Sequence, residues 1–127
     1  MSNNDQWRDK LSAEEYRVTR QAGTERPFSG SLLYESRSGT YQCKCCGAKL
    51  FDDSSKFDAG CGWPSFFAQT DDDNVGYRFD ESHGMRRTEI YCKHCDAHLG
   101  HVFDDGPAPT GQRYCVNSVS LDFIPQD

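Results

Sequence analysis

At 127 residues, with a hydrophobic fraction of 35% and a mean hydropathy of −0.82, the chain is sized for one domain, 1–127, with a lean core that a metal or other staple would help. A net charge of −6 and a pI near 5.1 exclude the clustered Lys and Arg that nucleic acid or an anionic membrane requires, which favours a small or peptidic partner. No apolar run reaches signal-peptide or membrane-span length, so a cytoplasmic, reducing setting is expected, where seven cysteines read as metal ligands or reactive thiols rather than a disulfide framework.

In chain order, Asn4 or Asp5 can cap a short helix carrying Trp7 and Leu11, and "SAEE" places Ser12 and Glu15 as a capping box for a second helix ending near Gly23. After "ERPFSG" the residue types shift to short runs of Tyr, Phe, Val and Ile separated by Gly, Asp, Asn and Ser. These read as antiparallel strands near 40–43, 75–80, 85–91, 98–103 and 112–123. The acidic run "DDDN" at 71–74 is a solvated turn. No linker divides the chain. The fold class expected is mainly β, with short N-terminal helices.

An internal repeat organises most of the cysteines. "CKCCGAKL" from Cys43 and "CKHCDAHL" from Cys92 share the frame CKxCxAxL. A CxxC turn aims two sulfurs at one point, and two such turns close a tetrahedral thiolate site for Zn²⁺. Cys43, Cys46, Cys92 and Cys95 are the expected ligands, and the segment between the pairs must return the chain to close the site. A redox-active CxxC is the rival reading, although such motifs usually come singly at a helix start. His94, inside the second pair, could replace a sulfur, but four matched cysteines make that unnecessary.

Three cysteines remain. Cys45, squeezed between ligands, reads as a bystander pointing away from the metal. Cys61 lies in "GCGWPSF", an irregular loop anchored by Trp63. Cys115 lies in "GQRYCVNSVSL", where period-two alternation puts Arg113, Cys115, Asn117, Val119, Leu121 and Phe123 on one strand face. A neighbouring guanidinium favours thiolate over thiol, so Cys115 is a candidate nucleophile. A buried structural thiol remains the alternative. In "HLGHVFDDG", His98 and His101 can exchange protons near neutral pH, or they are simply exposed or satisfied in the core.

Taken together, "YRVTRQAGTERPFSG", both CxxC pairs, "GCGWPSF", "HLGHVFDDGP" and "RYCVNSVSL" resemble the B-type methionine sulfoxide reductases over nearly the whole chain. That resemblance implies two antiparallel sheets, a structural zinc away from the chemistry, and action on the R epimer of methionine sulfoxide. It also implies Cys115 as nucleophile, Cys61 as resolving thiol, and Trp63, His98, His101, Arg113 and Asn117 along the substrate pocket, with thioredoxin as reductant; separately, a monomer is expected. Cys45 departs from the pattern and raises the question of whether another thiol can stand in for Cys61.

The chemistry implied is attack by Cys115 on the sulfoxide sulfur, with His101 as first choice of acid and His98 in support. Arg113 and Asn117 polarise the S–O bond or hold the thiolate, and the Trp63 indole receives the substrate methyl group. Cys115 becomes a sulfenic acid that Cys61 condenses to a disulfide. A zinc-dependent binding module, with Cys115 inert, and a redox-switched regulator that releases zinc on oxidation are the readings from other classes.

Overall fold

The computed structural model describes residues 5–81 and 84–126. Two helices open it, α1 at Asp5–Arg8 and α2 at Ala13–Arg20; Asn4, one of the caps considered for α1, lies outside the described residues. The Ser12 hydroxyl accepts from Glu15 N at 3.1 Å, and Ser12 N donates to the Glu15 carboxylate at 2.9 Å, which satisfies two otherwise orphaned helix donors. The second helix stops at Arg20, short of the expected Gly23, because Ala22 turns left-handed (φ 56°) and Gly23 N returns to Arg17 O at 3.0 Å.

The rest is β structure in two antiparallel sheets. Strands β1 (Gly39–Cys43), β2 (Lys49–Asp52) and β9 (Leu121–Pro125) form one, in the order β2-β1-β9. The other contains β3 (Lys56–Phe57), β4 (Ser65–Phe66), β5 (Val75–Asp80), β6 (Arg87–Cys92), β7 (His98–Phe103) and β8 (Arg113–Val116), in the order β3-β4-β8-β7-β6-β5.

The sheets meet through aromatic side chains. Phe66 of β4 stacks on Phe51 of β2 at 4.4 Å and meets Tyr41 of β1 edge-on at 5.0 Å, all three fully buried. Leu50, Ile90, Leu99, Val116 and Leu121 complete this core, and each such side chain removed from water contributes roughly 1.5–3 kcal/mol. The helices close one end. Lys10 and Arg20 both lie against the Trp7 ring and donate to main-chain oxygens of the cysteine turns, Lys10 to Cys45 O and Arg20 to Cys95 O, each at 2.5 Å.

The sequence reading fails in two places. It assigns no strands at 49–52, 56–57 and 65–66, and it draws 112–123 as one strand. That run is broken: β8 ends at Val116, a 3-10 turn spans Ser118–Ser120, and β9 pairs with β1 in the other sheet. Asn117 is the corner, so Val119, Leu121 and Phe123 do not continue the face that carries Arg113 and Cys115.

Candidate active site and metal centre

The two CxxC turns are built alike. Cys43 N donates to Ala48 O and its carbonyl accepts from Gly47 N; Cys92 N donates to Ala97 O and its carbonyl accepts from Asp96 N. Both turns need a left-handed residue at the matched position, and Gly47 (φ 81°) and Asp96 (φ 66°) supply it. The sulfurs of Cys43, Cys46, Cys92 and Cys95 all lie within 4.8 Å of one another, with Cys43 to Cys95 and Cys46 to Cys92 each at 3.5 Å. A tetrahedral metal with bonds of about 2.3 Å to sulfur needs S–S edges of about 3.8 Å, so these four cysteines are positioned to bind a metal. Cys45 is outside the set; its side chain is fully buried in the core.

The second cysteine site forms where β8 runs between β4 and β7. Cys115 pairs across the sheet with Ser65 on one side and His101 on the other, distances at which side chains touch. The loop before β4 is tied down by Val116 N donating to Pro64 O at 2.9 Å, and this brings Cys61 Sγ to 3.6 Å from Cys115 Sγ across 54 residues of chain. Gly100 lets β7 approach, since a Cβ there would lie 1.9 Å from Cys115 O. The two sulfurs open onto a cavity of about 270 Å³ whose walls include Trp63, His101, Phe103 and Arg113. Trp63 is held by its indole N–H, which donates to Glu25 O at 3.0 Å.

The thiols differ in acidity, and not as expected. Burial pushes Cys115 up to about 12, and the neighbouring Cys61 adds to this; the opposing pull of Arg113 is outweighed. Arg113 is engaged elsewhere, donating to Asp105 at 2.9 and 3.2 Å and stacking over Phe103. Burial also raises Cys61, but hydrogen bonds with Ser65, the Trp63 backbone and Cys115, together with the Arg113 charge, bring it below the ordinary thiol value. Near neutral pH Cys115 is therefore a thiol, and Cys61 is the more acidic of the two.

Residues 11–125 match the SelR domain family. The chain belongs to that family. Over 121 residues, 95% of this chain and 85% of the relative, it is 67% identical to the protein named peptide methionine sulfoxide reductase MsrB of Alteromonas mediterranea. It is 58% identical over 123 residues to one of the same name from Pseudomonas putida, covering 97% and 92%. For Acinetobacter baylyi the figures are 60% over 116 residues, covering 91% and 84%.

Within this SelR domain the remaining candidates fall into place unevenly. His98 and His101, three apart, would point to opposite faces of a regular strand. A bulge at Leu99, where Tyr91 pairs with His98 but Ile90 with Gly100, puts both on one face with rings 5.6 Å apart. His101 lines the cavity, whereas His98 does not: it is 5% exposed and its Nδ1 meets the Glu89 carboxylate at 2.7 Å. Asn117 lines the cavity too, but its amide is engaged by main chain, accepting from Glu25 N at 3.0 Å and donating to Leu99 O at 3.0 Å.

Sequence reasoning missed Glu25, Asp80, Arg87 and Glu89. His101 Nε2 meets the Asp80 carboxylate at 2.8 Å, and Arg87 reaches the same oxygen at 3.5 Å. Glu89 accepts from Arg78 at 2.9 Å while holding His98. Cross-strand pairing of β5 with β6 creates these groups, and the one legible signal was charge alternation at Arg78, Asp80, Arg87 and Glu89 on adjacent strands.

Proposed function

We propose that this chain, acting as one reductase domain over 1–127, reduces the R epimer of methionine sulfoxide, free or in proteins, and so repairs oxidised protein. The observation that carries the reading is the Cys61–Cys115 pair, 3.6 Å apart on a cavity sized for one side chain and walled by an indole and an imidazole.

Cys115 Sγ attacks the sulfoxide sulfur, and the thiol proton ends on the sulfoxide oxygen. The new Sγ–S bond and the S–O bond then break as the protonated oxygen passes to Cys115 Sγ, so methionine leaves and Cys115 carries the oxygen as a sulfenic acid. The cycle needs no outside proton at this stage, which suits a nucleophile held as a thiol by burial. His101 is the carrier. Burial first, then Arg87 and His98, lower its pKa against the raising effect of Asp80, so it is neutral near pH 7 and can take a proton before giving one. The Trp63 face receives the substrate methyl group, Arg113 and Asn117 shape the wall, and His98 supports His101 from behind.

Cys61 then attacks the sulfenic sulfur, releasing water and leaving a Cys61–Cys115 disulfide. An external dithiol, thioredoxin by likeness to the family, returns both thiols. The four-cysteine site holds one structural Zn²⁺, the metal that suits four thiolates in a tetrahedron; it staples the sheets and takes no part in the chemistry. A monomer working in the cytoplasm is the setting this chemistry fits.

Turnover of the two separated sulfoxide epimers with dithiothreitol tests the reading. Consumption of the R epimer, abolished in Cys115→Ser with fold and metal retained, is expected. Consumption of the S epimer alone, or of neither, would overturn it.

A further inference from the structure

We propose that Asp80, braced by Arg87, is a positioning residue that fixes His101 as the Nε2–H tautomer and leaves Nδ1 as the nitrogen that exchanges the proton in the pocket. This rests on the reading of His101 as proton carrier and extends it to residues on two further strands.

The geometry is specific. His101 pairs across the sheet with Cys115 of β8 on one side and Glu89 of β6 on the other. Its ring nonetheless reaches past β6 to the last residue of β5, where Nε2 lies 2.8 Å from Asp80 Oδ2. A carboxylate there can only accept, so Nε2 carries the hydrogen, and in the neutral ring the lone pair is then on Nδ1. Among the described residues Nδ1 has no hydrogen-bond partner. The same Asp80 oxygen is approached by Arg87 at 3.5 Å, from the position on β6 that pairs with Asp80 in register. The carboxylate is thus held between a guanidinium and an imidazole, with a side chain only 19% exposed.

Among the described residues, five other groups face or flank this ring. Arg87 and Glu89 come from β6, His98 from its own strand, and Arg113 and Cys115 from β8. Glu89 is engaged by His98 and Arg78, and Arg113 by Asp105. Asp80 and Arg87 both act on His101, and in opposite directions: the carboxylate stabilises the imidazolium and the guanidinium opposes it.

The opposition gives a test that a merely structural role would not meet. The pH dependence of kcat/KM for reduction of methionine-R-sulfoxide with dithiothreitol is measured for wild type, Asp80→Asn, Arg87→Gln and His101→Gln. Removing the carboxylate lets His101 lose its proton more readily, so the acid limb in Asp80→Asn moves to lower pH. Removing the guanidinium moves it to higher pH in Arg87→Gln. The loss at the optimum in Asp80→Asn, about tenfold or more, falls on kcat rather than KM, because an amide can turn its NH₂ to Nε2 and stabilise the wrong tautomer. Asp80→Glu restores part of the rate and returns the limb toward its original position. Limbs that stay in place in both variants, or shift in the same direction, overturn the role of Asp80. An acid limb and rate unchanged in His101→Gln instead overturn His101 as carrier, so the two failures are distinct.

Discussion

At the metal end, each pair of sulfurs comes from a turn that closes on itself, with main-chain bonds from residues 47 and 48 to Cys43 and from 96 and 97 to Cys92. At the reaction end, Cys61 and Cys115 meet across 54 residues only because β4 pairs with β8. The strand β6 spans the two, with Arg87 on the cavity and Cys92 in the four-cysteine cluster, about 17 Å apart at roughly 3.4 Å per residue. One end is local chemistry that a metal can lock, and the other is long-range pairing that the fold must hold open for a substrate. The metal end should therefore carry stability and the reaction end activity, with little exchange between them.

The largest expected effect breaks the metal end. Structural zinc contributes on the order of 10 kcal/mol in small domains, so Cys92→Ser should lose metal and cooperative unfolding together. Metal content and thermal denaturation of the purified variant check this, and a variant that keeps its metal would remove Cys92 from the ligand set. Next comes Phe66→Ala, which empties the space between Phe51 and Tyr41 beside the β4–β8 pairing. A cost of about 3–5 kcal/mol is expected, with metal retained while Cys61–Cys115 disulfide formation slows. Equal loss of metal would show that the two ends are not separable.

Glu25 sharpens the contrast more gently. It is 2% exposed, its Oε1 accepts from Val119 N at 3.1 Å, and its other oxygen has no hydrogen-bond partner among the described residues. Burial raises its pKa, against the bonds it accepts from Ser118 and Val119. A carboxyl raised on folding contributes stability that is complete below its unfolded value, about 4.3, and lost as pH rises through the folded one. Glu25→Gln does not titrate, so its melting temperature relative to wild type should improve between pH 4 and pH 8. A wild type that gains on the variant over that range would reverse the sign.

The smallest effect compares the two cysteine turns. Asp96 occupies the left-handed position that Gly47 fills in the other. Asp96→Gly should gain about 0.5–1 kcal/mol from relieved backbone strain, less whatever is lost with the exposed Arg78–Asp96 pair at 3.4 Å. Unfolding in denaturant would show it as a shifted midpoint with unchanged slope.

The four-cysteine cluster and the capping box were legible because each rests on spacing within a few residues: Cys43 and Cys46, Ser12 and Glu15. Cys61, Trp63 and Cys115 were identified through long motifs, but nothing in their neighbourhoods gives the acidity order of the thiols, which depends on burial and on Arg113 being taken by Asp105. β3 and β4, two residues each, are too short to show any period. Asn117 misled for the opposite reason: alternation continues through the corner where the chain changes sheets. Asp80 and Glu89 gain meaning only from register, and the bulge at Leu99 that aligns the histidines leaves no mark in composition.

The account rests on two thiols acting in sequence, and a single turnover of Cys61→Ser addresses that most directly. Mixed with excess methionine-R-sulfoxide and no reductant, the variant should release one equivalent of methionine per chain and leave Cys115 as a sulfenic acid, visible by mass spectrometry after trapping. Wild type under the same conditions should give the Cys61–Cys115 disulfide. No methionine from the variant, or a wild-type bridge from Cys115 to Cys45, would contradict the account.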